Sequence, residues 1–276
     1  MGSPPFVSVA PMSEHEGIHY REEGPPDGPV VLMLHGYPQS SYMWRHALPA
    51  AAQAAWRAIA LDLPGFGDSP ADPPGTWQRQ VEAVERFRQG LGIDRLVLVV
   101  HDWGGLIGLR WACDHPDAVQ ALVISDNGFF SDGKWHGLAE AMRTEGQGEE
   151  LVDNMTREGF GQVLESSSTG IDDAAVDEYF KAFAGEDRRR GQLELYRSGD
   201  FEELKPYEGC LAAMGVPSLL LWGENDPFAP VAGARRLEHE LPGSRLRVME
   251  GAGHFVWDDA GEEAAQELER FLTEQR

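Results

Sequence analysis

Three residues in this chain stand at the ends of apolar runs and could share one reaction. Asp102 follows Leu96–Val100, Asp226 follows Val216–Trp222, and His254 follows Leu246–Met249. An ionised aspartate can attack an electrophilic carbon that carries a leaving oxygen or halide. The product is an alkyl ester of the protein, which water must then hydrolyse at the carboxyl carbon. An imidazole at His254 would be the general base for that water. A second carboxylate would orient the ring and stabilise its cation. Asp126, after the run Ala121–Ile124, competes for this last role, and we assign the role to Asp226. Taken alone, Asp102 could merely cap the helix that follows it. The chain order nucleophile, acid, histidine argues for chemistry instead.

These side chains need elements to hold them. Leu96–Val100 is a short continuous apolar run, as expected of a parallel strand covered on both faces. The apolar spacing from Leu106 to Cys113 fits a helix, so the chain must turn between His101 and Gly104. Gly104 and Gly105 would let backbones come close there. Val30–Leu34 is another buried strand and runs into His35-Gly36-Tyr37-Pro38. The backbone N–H groups of Tyr37 and Trp103 would form an oxyanion hole for the ester's hydrolysis. His35 and His101 read as scaffold. Phe6–Val9, Ile18–Arg21, Arg57–Asp62 and Ala121–Ile124 are further strand candidates. Trp44–Ala55, Trp77–Leu91 and Gly261–Thr273 read as helices. Asp62–Ser69 carries glycines without the order of a dinucleotide site and reads as a tight loop.

Alternating strands and helices predict an α/β fold with a mostly parallel, doubly wound sheet. From Gly128 to Gly209 the strand-like runs stop and polar helical patterns such as Asp172–Ala184 and Arg188–Tyr196 take over. The expected organisation is therefore a core over 1–127, a helical lid over 128–209, and the rest of the core over 210–276. In such a sheet the loops after strand ends meet in one crevice.

Composition bounds the partners. The 276 residues carry 23 Lys and Arg against 46 Asp and Glu, a net charge of -23, which argues against nucleic acid or an anionic membrane as partner. No apolar run approaches the roughly 18 residues of a membrane span. The start, MGSPPFVSVAPMSEHEG, has neither a basic segment nor an apolar core, so the chain reads as cytoplasmic. Cys113 and Cys210 are the only cysteines, and Cys113 in an apolar helix reads as a buried free thiol. No metal-ligand spacing is present, and neither metal nor cofactor is expected.

The motifs His35-Gly36-Tyr37-Pro38-Gln39, Asp62-Leu63-Pro64-Gly65-Phe66-Gly67-Asp68-Ser69, His101-Asp102-Trp103-Gly104-Gly105, Gly223-Glu224-Asn225-Asp226 and Gly253-His254-Phe255 span most of the chain. Together they resemble the α/β-hydrolase-fold epoxide hydrolases and haloalkane dehalogenases. The resemblance implies a covalent Asp102 ester, His254 as base, Asp226 as acid, no cofactor, and a small apolar epoxide or halide as substrate. Leu195-Tyr196-Arg197 is similar to the lid segment whose tyrosine donates a proton to an epoxide oxygen. Epoxide hydrolases carry a second lid tyrosine, but Gly128–Val163 contains none, and Trp135 or His136 would have to substitute. For dehalogenases, Trp103 matches the halide-binding tryptophan, while Tyr37 and Tyr196 replace the usual asparagine and lid proline. An epoxide oxygen leaves poorly and needs a neutral acid such as a phenol. The expected activity is therefore opening of epoxides to vicinal diols, with haloalkane dehalogenation as the alternative. A ligand-binding protein without catalysis is the third reading.

Overall fold

The computed structural model describes residues 9–276. Eight strands form one sheet: β1 (Met12–His15), β2 (Ile18–Glu23), β3 (Val30–Leu34), β4 (Arg57–Leu61), β5 (Leu96–His101), β6 (Val119–Ser125), β7 (Ser218–Gly223) and β8 (Arg245–Met249). Their order is β1-β2-β4-β3-β5-β6-β7-β8. β1 and β2, and β2 and β4, pair antiparallel; all other pairs are parallel. Every residue of β3, β5 and β7 is buried, so the continuous apolar runs have both faces covered.

The winding of this sheet decides where a site can form. The chain steps from β3 outward to β4, then crosses back to β5 and proceeds the other way through β6, β7 and β8. Crossovers are right-handed, so this reversal puts helices on opposite faces and leaves a crevice beyond the ends of β3 and β5. The loop at His35–Pro38 and the turn at Asp102 both open there.

Several boundaries differ from the expectations. The strand expected at Phe6–Val9 lies outside the described residues except for Val9, which is in no strand. The stretch from Trp44 splits into a 3₁₀ turn at Ser41–Arg45 and a helix at Ala47–Gln53. The helix after Asp102 begins at Trp103, not at Leu106, because the glycines that hide its apolar periodicity are needed for contact. A Cβ at Gly104 would lie 2.2 Å from the Leu34 carbonyl oxygen. Between residues 128 and 209 all regular elements are helical, including Gly137–Arg143, Gln147–Asp153, Arg157–Glu165, Asp173–Phe180 and Glu186–Arg197.

The reading of Cys113 as a free thiol is corrected. Cys113, in the last turn of the helix Trp103–Asp114, is disulfide-bonded to Cys210, with Cα atoms 5.8 Å apart. Cys210 begins the short helix Cys210–Met214, which packs against that first helix. Closing a loop across a sequence separation of 97 restricts the unfolded chain strongly. We expect the Cys113→Ala/Cys210→Ala double variant to unfold at lower denaturant, with a loss of about 2–4 kcal/mol. Equal unfolding midpoints for oxidised and reduced wild type would instead mean that the two thiols are not bonded.

Candidate active site

Asp102 occupies the apex of the β5–helix turn with φ 46° and ψ -122°, a conformation that an ordinary residue adopts only when its surroundings impose it. The surroundings here are tight. A Cβ at Gly36 would lie 2.6 Å from Asp102 Cβ and 2.8 Å from His101 Cδ2, so only glycine fits after His35. The close approach brings the Tyr37 amide to Asp102, where it donates to Oδ1 at 2.7 Å. The Trp103 amide also helps to lower the pKa of this carboxylate. Burial alone would raise the Asp102 pKa, but the His254 ring, then His101 and the Trp103 amide, bring it down to about 2.

Of the three carboxylates near His254, only one can be reached. The Asp102 side chain is 22% exposed, whereas those of Asp226 and Asp126 are fully buried. His254 Nδ1 lies 2.9 Å from Asp226 Oδ2, and its Nε2 stands 3.6 Å from Asp102 Oδ2. Asp226 is held in turn by the amides of Phe228 (2.7 Å) and Ala229 (2.9 Å), which donate to Oδ1. Burial disfavours the charged imidazole, but the Asp226 and Asp102 carboxylates outweigh it and raise the His254 pKa well above the usual value. Burial likewise works against ionised Asp226, and His254 with the two amides lowers its pKa overall.

Asp126 is differently placed. Its Oδ1 accepts from the Gly223 amide at 2.9 Å, and Oδ2 has no hydrogen-bond partner, lying 3.7 Å from His101 Nδ1. Burial, and then the Asp226 charge, push its carboxyl well above the usual carboxylate range. His101 is itself kept neutral, chiefly by burial, with a pKa of about 3. His35 is pinned at both ring nitrogens: Nδ1 faces the Gly36 carbonyl at 2.9 Å, and Nε2 lies 3.0 Å from the Leu63 amide, from which it accepts. Both histidines are scaffold by contact.

The aromatic residues divide between two cavities. Tyr196 stands edge-on to Tyr37 and to Trp103, with ring centroids 5.1 Å from each. Burial, and then the Asp102 charge, raise the Tyr196 phenol well above its usual pKa, so it is a neutral donor. The Trp103 side chain acts the other way, lowering the phenol's pKa. Together with Tyr37, Asp102, His254 and apolar side chains such as Met142, Phe160 and Leu164, Tyr196 lines a cavity of about 140 Å³. Trp135 stacks on Trp103 at 5.7 Å and packs against Tyr196 at 6.2 Å, but it lines a different cavity, which also reaches Asp102. His136 borders both, with Nδ1 accepting the Ala139 amide at 3.4 Å.

Three supporting residues were not singled out from the sequence. Gln192 accepts the Tyr37 hydroxyl at 2.7 Å and donates to the Ala182 carbonyl at 2.7 Å. Buried Asp258 pairs with Arg45 at 2.5 Å and accepts from Tyr179 and Gln39. Asp259 accepts from the amides of Gly253, Thr169 and Gly170, fastening the helical segment beside His254. Each looks like an ordinary polar residue in sequence; only the adjacent pair Asp258-Asp259 so close to His254 was a signal.

The alpha/beta hydrolase fold model matches residues 29–260. The chain belongs to the α/β-hydrolase fold family. Among curated relatives of this α/β-hydrolase, a haloalkane dehalogenase of Mycobacterium marinum is 32% identical over 95% of this chain and 91% of its own. Epoxide hydrolase 2 of Caenorhabditis elegans is 28% identical over 93% of this chain and 77% of its own. A crystal structure of a haloalkane dehalogenase from Bradyrhizobium elkani superposes with a TM-score of 0.82 and 25% identity, covering 97% of this chain and 96% of that one. Of these relatives the dehalogenases are the more similar, so the comparisons support the alternative expectation, dehalogenation, better than epoxide opening. Among the described residues no helix is long and apolar enough to cross a membrane.

The contacts of His254 carry a pH signature. Its raised folded pKa means that its charge adds stability fully below about pH 6.5 and loses that contribution as pH rises through the folded value. Asp102 and Asp226 have the opposite sign: their contribution is present above about pH 3.9 and is lost as pH falls through their lowered values. In an NMR titration we expect Asp226→Asn to lower the His254 pKa by more than about one unit, and Asp126→Asn to change it far less. The reverse ranking would make Asp126 the histidine's partner.

Proposed function

We propose that this α/β-hydrolase cleaves carbon–halogen bonds of uncharged haloalkanes by hydrolysis. The observation that carries the reading is the single reachable carboxylate, Asp102, ionised at the floor of an apolar cavity. The similarity to haloalkane dehalogenases supports halide as the leaving group. Asp102 attacks the carbon, the carbon–halogen bond breaks, and halide departs toward the Trp103 indole N–H and the Tyr196 hydroxyl. The resulting ester is neutral, so His254 loses one of the two carboxylates that hold its proton. Its pKa falls, and it becomes a base when one is needed. Water gives a proton to Nε2 and its oxygen to the Asp102 carboxyl carbon. The amides of Tyr37 and Trp103 hold the oxyanion, and Asp226 holds the imidazolium. Collapse expels the alcohol and restores the carboxylate, so that RX and water give ROH and HX. The helical segment 128–209 acts as the lid that keeps bulk water from the ester.

Epoxide opening is the second reading, and the neutral Tyr196 phenol facing Asp102 favours it. One experiment separates the two. In His254→Gln the ester should form and persist, because the base is gone. A haloalkane leaves only its alkyl group on the protein, whereas an epoxide adds its whole mass. We expect simple bromoalkanes to label the variant and terminal epoxides to label it weakly. Labelling by epoxides alone would reverse the assignment, and labelling by neither would favour a non-catalytic binding protein.

Tyr196→Phe removes a hydrogen bond to developing charge, which is worth roughly tenfold or more in the alkylation rate of Asp102. A single-turnover change below about threefold would mean that Tyr196 only packs against Trp103 and Tyr37. As to compartment, the Cys113–Cys210 bond favours an oxidising one over the cytoplasm expected from the sequence.

A further inference from the structure

Two cavities, not one, reach the nucleophile. The first, of about 140 Å³, runs up among the helices of the lid. The second, of about 260 Å³, runs the other way, past Trp103, Leu106, Phe130, Trp135 and Phe201. Both include Asp102 and His254, and both are bounded by His136 and Phe228, whose rings contact at 4.8 Å. The second is the larger of the two. Asp126, Asn127 and Trp135 border it with their unpartnered Oδ2, Oδ1 and Nε1 atoms buried from solvent, while Asp102, Lys134, His136 and His254 supply its other polar groups. Beyond the Trp103 indole, Leu106, Phe130, Trp135, Phe201 and Phe228 give it largely apolar walls.

Displacement at carbon places the three remaining substituents in a plane across the line of attack. A primary carbon then has one chain to house, and a secondary carbon has two, pointing apart. Resting on the haloalkane reading above, we propose that the second cavity is a subsite for a second alkyl arm, and that the preferred substrates are secondary haloalkanes with the halogen inside the chain. Crowding at a secondary carbon slows such displacements in solution. Burial of the second arm offsets this, because each methylene withdrawn from water adds to binding.

Gly233 borders the second cavity, and a Cβ there would meet nothing nearer than Phe130 Cε2 at 3.8 Å. Gly233→Phe therefore fills the subsite without a backbone clash, and Ala232→Phe, from an exposed position on the same helix, is the second variant. The test measures alkylation of His254→Gln by 4-bromoheptane and 1-bromoheptane, isomers that leave adducts of equal mass. We expect the ratio of secondary to primary rates to fall by roughly tenfold or more when Gly233→Phe or Ala232→Phe is added, the effect of excluding a propyl arm. Both bromides labelling with a ratio that moves less than about twofold in both variants, each shown to be folded by its melting curve, would overturn the subsite while leaving the haloalkane reading intact. Calorimetric binding of 4-heptanol and 1-heptanol to the otherwise unaltered protein makes the two failures distinguishable. A preference for 4-heptanol that Gly233→Phe abolishes, with no labelling by either bromide, would keep the subsite and reject the dehalogenase. Absence of both that preference and the labelling would reject both.

Discussion

A carboxylate that is to attack carbon must be stripped of part of its water and yet stay ionised. In this molecule the carboxylate is flanked by the His254 ring and by the close approach of two backbones, the loop after β3 and the turn after β5. With no side chain at Gly36, the Tyr37 amide comes to 2.7 Å from Asp102, and the turn's own Trp103 amide joins it. Burial opposes the charge, and alongside this backbone contact the His254 ring does most to hold the carboxyl below the usual range. The positive φ of Asp102, the glycines on the adjoining helix and the neutral, pinned ring of His35 all follow from the same contact.

The histidine side of the site works by sharing charge unequally. Asp226 is anchored by two amides beside His254, whereas in the proposed mechanism the charge of Asp102 would disappear on esterification. A third negative charge at Asp126 is disfavoured, because burial and then the Asp226 charge push its carboxyl well above the usual carboxylate range. The loop bearing His254 is fixed by an independent set of contacts. Arg45, Gln39 and Tyr179 converge on Asp258, while Asp259 takes three amides, one from Gly253 and two from the helical segment. A buried ion pair such as Arg45–Asp258 is weak evidence for stability, but breaking one partner is costly, so it serves as a rigid locator.

The legible parts of the fold were those whose pattern depends on burial alone. Val30–Leu34 is read to the residue because both faces of β3 are covered, leaving an unbroken apolar run. Asp102, Asp226 and His254 were legible because each follows such a run. The helix start at Trp103 was hidden, since Gly104 and Gly105 obey contact with β3 and Asn127 instead of helical periodicity. Gln192 was invisible for a related reason: its importance lies wholly in accepting the hydroxyl of Tyr37, a residue 155 positions away. The pairing of Cys113 with Cys210 also depends on two distant segments meeting, and no local pattern announces it. Leaving-group chemistry was the least legible, because a carboxylate, an indole and a phenol serve halide and epoxide alike.

The covalent link has a topological consequence. Cys113 lies before β6 and Cys210 after the last helical turn of the inserted segment, so the bond encircles β6 and the whole of that segment. Any backbone nick within this ring, by protease or by chemical damage, leaves a two-chain molecule whose halves cannot drift apart. The turns exposed on top of the active site are the natural places for such a cut. A nicked molecule would therefore keep its two pieces at high effective concentration and remain assembled until a reductant opened the ring.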